Sequence, residues 1–366
     1  MPKLDSPLQL SPVFKPKIWG RRSLAPLYPD QWTTRRGRTV SIRYPQRKGL
    51  EEERIGEVWL TDDEAVFTNG ALAGMNLAQA CKRCGPELCG EGVADGRFPI
   101  LAKFLFTSDW LSVQVHPDDD YARQHENGSL GKCEMWYMIH TEPKAEILLG
   151  LKPGTTLQEL GAAIDQNRCS QLLQRFSPHP EEAIFVPPGT VHALGPGLTL
   201  FEAEENSDIT YRLDDFGRKG QGGKPRPLHR EKALETTRPQ QPPLRDLPQL
   251  KLQEPYGARR FLLACPFFAV EELTLTKIAA FTGPRARVEA FTVLSGEGRV
   301  ETSSGWYAYR TGDVWLIPPA TPTYRLVPEI SGRLLKFYVP NLEADFRKPL
   351  AARGISSEDI ERIVFA

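Results

Sequence analysis

Residues 182–192 read EAIFVPPGTVH and residues 312–323 read GDVWLIPPATPT, and these two similar stretches decide the fold. Each joins a short apolar run to a Pro-Pro pair, a pattern typical of a strand that ends in a turn. EMWYM (134–138) precedes the first stretch and EAFTV (289–293) precedes the second, so the chain contains an internal repeat. We therefore predict two small antiparallel barrels whose inward-pointing positions could hold a ligand. Superposing the Pro-Pro pairs places Thr323 under His192, so only the first barrel keeps metal-binding side chains, and the second is expected to be structural.

Strand patterns dominate the rest of the chain, so we predict a mainly β fold. Short apolar or alternating runs predict strands at residues 146–151, 183–187, 198–203, 287–294, 313–317 and 333–339. Helical patterns are confined to residues 71–91, 155–176, 230–235 and a C-terminal segment at 356–364. Five prolines between residues 236 and 256 indicate an extended connector. The predicted organisation is a catalytic N-terminal domain (1–235), a connector (236–257) and a second domain (258–366) without metal ligands.

The length of the chain bears on the number of domains, and its charge excludes some classes of partner. The chain has 366 residues, which is longer than one compact core usually supports. Its 46 basic and 46 acidic residues give no net charge and no charged block, so we expect neither a nucleic-acid partner nor a membrane surface. The sequence shows no signal peptide and no long apolar run, so we expect a cytoplasmic protein. It sets no expectation for the oligomeric state.

The six cysteines have no regular spacing, which favours reduced thiols over a disulfide framework. Cys81, Cys84 and Cys89 resemble half of a structural zinc site, but no second CxxC or HxxxH pair completes it. These cysteines are therefore interpreted as small apolar fillers of a helical segment, with an opportunistic metal site as the alternative.

Four residues of the first barrel suggest a metal site. Gln114 and His116 are two apart in an alternating run, so in a strand they would point to the same face. Glu134 follows eighteen residues after His116, and His192 closes the turn PPGTVH. Two imidazoles, a carboxylate and an amide oxygen suit Zn²⁺ or another divalent ion, one per chain. Taken singly, each has an ordinary alternative, because most histidines are not ligands and Glu134 could simply pair with Lys132.

At these residues the sequence closely resembles the type I mannose-6-phosphate isomerases, or phosphomannose isomerases, of the cupin superfamily. The similarity covers residues 12–235 specifically and continues weakly beyond them. The matching stretches are PVFKPKIWG (12–20), IGEVW (55–59), FPILAKFLFTSDWLSVQVHPDDDYARQHENGSLGKCEMWYMI (98–139), ILLGLKPG (147–154), FVPPGTVHALGPGLTLFEAEENSDITYRLDDFGR (185–218) and GKPRPLHREKAL (223–234).

The resemblance implies two cupin domains, jelly-roll-like β-barrels, with a small helical insertion and a C-terminal helix. It implies metal ligation by Gln114, His116, Glu134 and His192, with Arg212 and Lys132 as catalytic residues. Trp19, Glu57 and Trp59 lie on motifs that the family places beside the pocket. We expect substrate contacts from Trp19, Glu57, Lys103 and Asp215, and we expect the substrate phosphate to be held by Lys103, Lys132 and Arg212.

This chain departs from the family pattern at two points. It reads AEENSD (203–208) where relatives usually show IQQNSD, and DDFGR (214–218) where they show YDYDR. We expect the added carboxylates at 204, 205 and 214 to lie near the mouth of the pocket, where they would affect phosphate affinity and substrate range.

The predicted activity is a metal-dependent interconversion of mannose 6-phosphate and fructose 6-phosphate. The proton moves between C2 and C1 through an enediol(ate), whose charge a divalent ion and Arg212 would stabilise. The sequence does not single out the general acid/base among Lys132, Asp215 and a metal-bound water. An isomerase of another sugar or phosphosugar and a non-catalytic sugar-binding cupin are the alternatives.

Overall fold

The computed structural model describes residues 3–29, 31–33, 39–41, 50, 53–91, 96–220, 223–283 and 286–366. In these ranges the chain is mainly β, and all pairs of neighbouring strands are antiparallel. The predicted mainly β fold with two cupin-like halves, a helical insertion and a C-terminal helix is confirmed. The same residues include no helix that is both long and apolar enough to cross a membrane.

Two sheets facing each other build the first half. One sheet has, in spatial order among the described residues, the strands Ala183–Val186, Glu134–Thr141, Leu198–Glu205, Ile100–Phe106, Ile55–Trp59 and Val13–Arg21. The other has Leu173–Phe176, Ile147–Leu151, His192–Leu194, Val113–Val115 and Tyr211–Asp214. Trp19, Leu105, Trp136 and Leu149 pack together in the apolar cluster that joins the two sheets. A short hairpin pairs Gln31–Thr33 with Thr39–Ser41.

A third sheet forms the second half. Its strands, in spatial order, are Leu250–Glu254, Gly257–Ala264, Ala269–Leu275, Thr323–Tyr338, Glu289–Thr302, Val314–Ile317, Leu8–Ser11 and Val66–Phe67, with Ala279–Thr282 and Gly305–Arg310 attached at the sides. Phe291, Trp315 and Tyr324 pack together in a cluster within it. Large aromatic side chains thus fill this half, and Thr323, the counterpart of His192, is exposed at the start of its strand.

The two halves share one large core. Phe104, Phe201 and Tyr137 of the first half pack with Leu335 and Phe337 of the second. Strand Leu8–Ser11 pairs with Val314–Ile317, so the N-terminal segment completes a sheet of the C-terminal half. The boundaries proposed from the sequence stay a prediction.

Short helices lie in the connections. The α-helices are Leu77–Cys84, Pro86–Cys89, Asp119–His125, Leu157–Asp165, Arg230–Thr236, Lys348–Ala352 and Ser357–Glu361; 3₁₀ turns span Gly70–Leu72 and Cys169–Leu172, and a π-helical turn spans Leu342–Arg347. Asn76 and Thr156 begin two of the helices with capping boxes. The helix predicted over 155–176 ends at Asp165 because the segment Leu173–Phe176 instead pairs with Ile147–Leu151.

All six cysteines are buried free thiols, as expected. The Sγ atoms of Cys81 and Cys89 are 3.6 Å apart in the helical insertion. In the described part of the chain, the cysteines do not form a group close enough to share one ion. The interpretation as apolar fillers fits this packing.

Candidate metal centre and active site

Strand register brings the predicted metal ligands together. Gln114 lies opposite both His192 and Arg212 in the five-stranded sheet. Its neighbours Val113 and Val115 point to the other face and pack in a separate apolar cluster, so Gln114 faces the inside of the barrel. Glu134 begins a strand of the facing sheet. The two sheets of the first barrel therefore contribute ligands from opposite sides.

Two imidazoles face one carboxylate at the centre of the barrel. His116 Nε2 is 3.5 Å from Glu134 Oε2, and His192 Nε2 is 3.3 Å from Glu134 Oε1. All three side chains are buried. Gln114 Nε2 is 3.2 Å from His192 Nε2. Because amide orientation is assigned from the hydrogen-bond network, a half-turn of this side chain would present Oε1 at the same place.

Backbone carbonyls fix both histidines in the tautomer that a metal ligand needs. His116 Nδ1 donates to the carbonyl of Ile209 at 2.7 Å, and His192 Nδ1 donates to that of Thr190 at 2.9 Å. Each Nε2 therefore carries a lone pair directed toward Glu134. Burial and the nearby Lys132 hold the pKa of His116 well below its usual value, and burial lowers the pKa of His192 to about 4. Both imidazoles are neutral near pH 7.

The unsatisfied polar atoms of this group fit a divalent cation. His116 Nε2 and Glu134 Oε1 are buried without a hydrogen-bond partner among the described residues, and Glu134 Oε2 lies 3.3 Å from Lys132 Nζ. Buried polar atoms are rarely left unpaired, so atoms that converge on one point indicate a missing ligand. The nitrogen and oxygen donors of His116, Glu134, His192 and Gln114 suit Zn²⁺, and the first three lie close enough to share one ion.

A cavity of about 290 Å³ opens beside these residues. Of the residues singled out from the sequence, its walls include Trp19, Glu57, Lys103, Gln114, Lys132 and Arg212. They also include Lys17, Trp136, Glu202, Asp208 and Arg226, which the sequence analysis did not select. The structure thus places Gln114, three lysines and two arginines around one polar cavity next to the other candidate ligands.

Comparison with known proteins identifies the family of the chain. Residues 8–157 match the model of the catalytic domain of type I phosphomannose isomerase. The mannose-6-phosphate isomerase ManA of Bacillus subtilis (strain 168) is 34% identical over 325 residues, which cover 87% of this chain and 95% of that protein. The chain belongs to the type I phosphomannose isomerase family.

Solved structures of phosphomannose isomerases share the fold. The crystal structure of the mannose 6-phosphate isomerase from Bacillus subtilis aligns with a TM-score of 0.79 at 28% identity, covering 91% of this chain and all of that one. A zinc-bound mannose 6-phosphate isomerase aligns with a TM-score of 0.68 at 16% identity, covering 91% of this chain and 99% of that one. The second likeness concerns the fold alone.

The carboxylates in which this chain departs from the family pattern are buried and do not lie at the mouth of the pocket, so that expectation was wrong. Glu204 is fully buried, 2.6 Å from Lys103 Nζ and 2.9 Å from Lys132 Nζ. Glu205 points to the opposite face of the strand and accepts the Cys133 N–H at 2.8 Å. Asp214 is buried and accepts the Phe216 N–H. Glu204 and Glu205 lie on a central strand that is covered on both faces, and Asp214 is buried although its strand is at the edge of the other sheet.

Lys132 lies between two carboxylates, 3.3 Å from Glu134 and 2.9 Å from Glu204. Burial opposes its charge, but Glu204 and Glu134 outweigh burial and hold its pKa well above the usual value. Lys132 is therefore a cation throughout the neutral range. This charge state suits electrostatic stabilisation of an anion.

Arg212 lies in the wall of the cavity, and Asp215 lies behind that wall. Arg212 Nη1 donates to the carbonyl of Pro227 at 3.0 Å, and its buried Nε has no hydrogen-bond partner among the described residues. Asp215 pairs with Arg218 at 2.7 Å and accepts from Arg226 Nε at 2.7 Å. Burial opposes the charge of Asp215, but the two arginines outweigh it and lower its pKa. Asp215 thus holds Arg226 and Arg218 in place, and a role as general base is disfavoured.

Glu57 and Trp59 support the edge of the cavity. Trp59 Nε1 donates to Glu57 Oε2 at 2.6 Å, and Glu57 pairs with Lys17 at 3.0 Å. The Trp59 ring lies 4.5 Å from Lys103 Nζ and 4.7 Å from Lys15 Nζ, as cation–π contacts. Trp59 therefore positions Lys103 and is not itself a wall of the cavity.

The sequence analysis missed Glu202, whose carboxylate lies in the cavity wall. Glu202 Oε1 accepts from Trp136 Nε1 at 3.2 Å. Burial opposes its ionisation, but Lys132 and Lys103 outweigh burial and lower its pKa. The signal was available: Glu202 and Glu204 are two apart in the strand Leu198–Glu205 and therefore share a face with Glu134 of the neighbouring strand.

Proposed function

We propose that this protein is a metal-dependent isomerase that interconverts mannose 6-phosphate and fructose 6-phosphate by proton transfer through an enediol(ate). The observation that carries the proposal is the convergence of unpaired buried atoms of His116 and Glu134 beside a cavity that also holds Arg212 and Glu202. Gln114, His116, Glu134 and His192 would hold one divalent ion, for which Zn²⁺ is our choice because of the nitrogen and oxygen donors. The cytoplasmic location stays a prediction.

When bound, the ion would act as a Lewis acid that stabilises negative charge on the sugar oxygens. The chain's own cations add to this effect. Lys132 is fixed by Glu134 and Glu204, and Arg212 presents a guanidinium with an unpaired Nε, so both offer positive charge without further reorganisation. Trp19, Trp136 and Leu111 supply apolar surface to the same cavity, which limits water around the reacting carbons.

Glu202 is our candidate for the group that carries the proton. It is ionised near neutral pH, lines the cavity, and its Oε1 is held in place by the Trp136 indole. A carboxylate so placed can accept a proton from one carbon and return it to the next. Lys132 and Asp215, the side-chain candidates named from the sequence, are each occupied by ion pairs.

The direct test incubates purified protein with fructose 6-phosphate, with and without a chelator, and follows mannose 6-phosphate. We expect product only in the metal-loaded protein, with activity restored by Zn²⁺. His192→Ala should lose bound metal and rate together, while His140→Ala, an exposed histidine on the strand Glu134–Thr141, should lose neither. Absence of metal-dependent product from the wild-type protein would refute the proposal. Sugar affinity that survives in His192→Ala without any wild-type turnover would indicate a binding protein.

A second candidate function keeps the fold and the site but changes the substrate to an unphosphorylated or different sugar. It is favoured by Glu204, which pairs with both lysines that were expected to bind the phosphate. Relative kcat/KM on mannose 6-phosphate and free mannose separates the two candidates.

A further inference from the structure

Glu204 lies behind the wall of the cavity, between Lys103 and Lys132, two cations that line it. Its side chain is fully buried, its Oε1 is 2.6 Å from Lys103 Nζ and its Oε2 is 2.9 Å from Lys132 Nζ. Each carboxylate oxygen is therefore committed to one ammonium group. A neutral side chain of the same size could not compensate both charges.

A second carboxylate completes this pairing. Asp208 Oδ1 lies 3.1 Å from Lys103 Nζ and 3.9 Å from Lys132 Nζ, and Lys132 is also 3.3 Å from Glu134. Each ammonium group thus faces at least two carboxylates. No surplus positive charge remains at the two lysines to attract an anionic group of a substrate.

At the arginines, in contrast, the positive charge exceeds the negative charge of the nearby carboxylates. Arg212 and Arg226 line the cavity, and Arg218 lies next to them. Arg226 and Arg218 share the carboxylate Asp215, and Arg218 Nη1 also lies 3.4 Å from Asp109 Oδ2. The one hydrogen bond described for the Arg212 guanidinium is to a carbonyl oxygen. Three guanidinium groups facing two carboxylates, Asp215 and Asp109, leave a surplus of positive charge, in a geometry that suits phosphate oxygens.

We infer that Glu204 is a specificity-determining residue: by cancelling the charge of Lys103 and Lys132, it limits the preference of the site for phosphorylated over free sugar and leaves an anionic group to the arginines. This inference rests on the proposed function for the identity of the sugar. Glu204→Gln keeps the size of the side chain and removes the negative charge of Glu204 from beside the two lysines. Affinity for a dianion should rise about tenfold, as expected for a unit charge within one pocket, while affinity for a neutral sugar should not change.

The test measures binding separately from turnover. Sorbitol 6-phosphate and sorbitol lack a carbonyl group and cannot isomerise, so calorimetry on the zinc-loaded protein gives two dissociation constants whose ratio reports the preference for phosphate. We expect Glu204→Gln to raise this ratio about tenfold over wild type. An unchanged ratio in a variant that binds zinc normally would overturn the inference.

Two control variants separate charge from packing. Glu204→Asp keeps the charge and should keep the wild-type ratio; a shift as large as that of Glu204→Gln would overturn the inference by showing that packing is responsible. Glu205→Gln makes the same substitution one residue away, on the face that points away from the cavity. Because the Glu205 carboxylate accepts the Cys133 N–H and contacts neither lysine of the cavity, the ratio should not change.

If Glu204→Gln does not fold or does not bind zinc, Asp208→Asn carries the test, because Asp208 pairs with the same lysines and its side chain is half exposed. We expect a shift in the same direction, and no shift would overturn the inference. A wild-type protein without isomerase activity would refute the proposed function, but the binding ratios would still decide the role of Glu204.

Discussion

Replacing Glu134 with Gln tests the metal centre, because the substitution should lower the stability of the zinc-loaded protein but not that of the chelated protein. In the zinc-loaded protein the variant loses the one carboxylate among the candidate ligands. We expect its affinity for zinc to fall about 1,000-fold, more than the 10- to 100-fold typical of outer-shell changes. At free zinc about 1,000 times the dissociation constant, binding stabilises the wild type by about 4 kcal/mol. The variant should lose most of this, or about 8 °C in Tm at about 2 °C per kcal/mol.

The chelated protein should behave in the opposite way. Glu134 Oε1 is buried without a hydrogen-bond partner in the described structure, and Glu134 Oε2 lies 3.3 Å from Lys132 Nζ. Lys132 keeps Glu204 at 2.9 Å when Glu134 is neutral. Without metal, Glu134→Gln should therefore match or exceed the wild type by about 1–3 kcal/mol, the cost of an unsatisfied buried polar group.

Scanning calorimetry with zinc and with chelator, together with metal analysis, measures both effects. Glu142→Gln, at a partly exposed glutamate that pairs with Arg21, is the matched control and should leave the response to zinc unchanged. An equal loss of Tm in the zinc-loaded and chelated forms of Glu134→Gln would refute the reasoning, since Glu134 would then be a structural residue and not a ligand.

Three further variants test the surroundings of the site. Glu202→Gln should lower kcat about 100- to 1,000-fold with little change in KM, as expected for a proton-transfer group, and an unchanged kcat in steady-state assays would argue against that role. Burial and Asp119 raise the pKa of Glu205 to about 8, so the folded protein holds this proton more tightly than the unfolded chain and loses stability as the pH rises from 4.5 to 8. Glu205→Gln should therefore be more stable than wild type at pH 8–9 and equal to it at pH 4, and urea unfolding that shows no such pH dependence would contradict this. Tyr137→Phe removes a buried hydroxyl that donates to Glu272 at 2.9 Å and accepts from two arginines of the second half, so it should lower the free energy of unfolding by about 1–3 kcal/mol; a variant as stable as wild type in urea would show that this network contributes little.

The fold could be predicted largely because the repeated Pro-Pro stretches and the short apolar runs are local signals. The run at 198–203 lies inside the strand Leu198–Glu205, and the run at 313–317 contains Val314–Ile317. The pairing of Leu8–Ser11 with Val314–Ile317 was not predicted, since four residues near the N-terminus carry no sign of a partner about 300 positions away. Pairings over such separations depend on the whole fold and not on local propensity.

The candidate ligands were found because they combine residue type with position. Gln114 was correctly placed facing inward, whereas His116 lies just beyond the end of its strand, Val113–Val115. What orients the two imidazoles could not be predicted: the carbonyl groups of Ile209 and Thr190 belong to irregular segments, whose conformation the sequence does not specify. Backbone acceptors leave no mark in a sequence because each residue has one.

The charged residues in the wall of the cavity show how such a site could be recognised from the sequence alone. Lys103 stands in the run FPILAKFLF and Glu202 in the run LTLFEAEE, and each interrupts a strand whose other side chains are buried. A single buried charge costs several kcal/mol unless it is paired, so charges at the centres of two apolar strands predict that the strands are neighbours and that the charges meet. Lys103 and Glu202 are indeed opposite each other in the register. Apolar side chains would stabilise the sheet more simply, so the retention of paired charges inside the barrel is itself an argument for chemistry at this position.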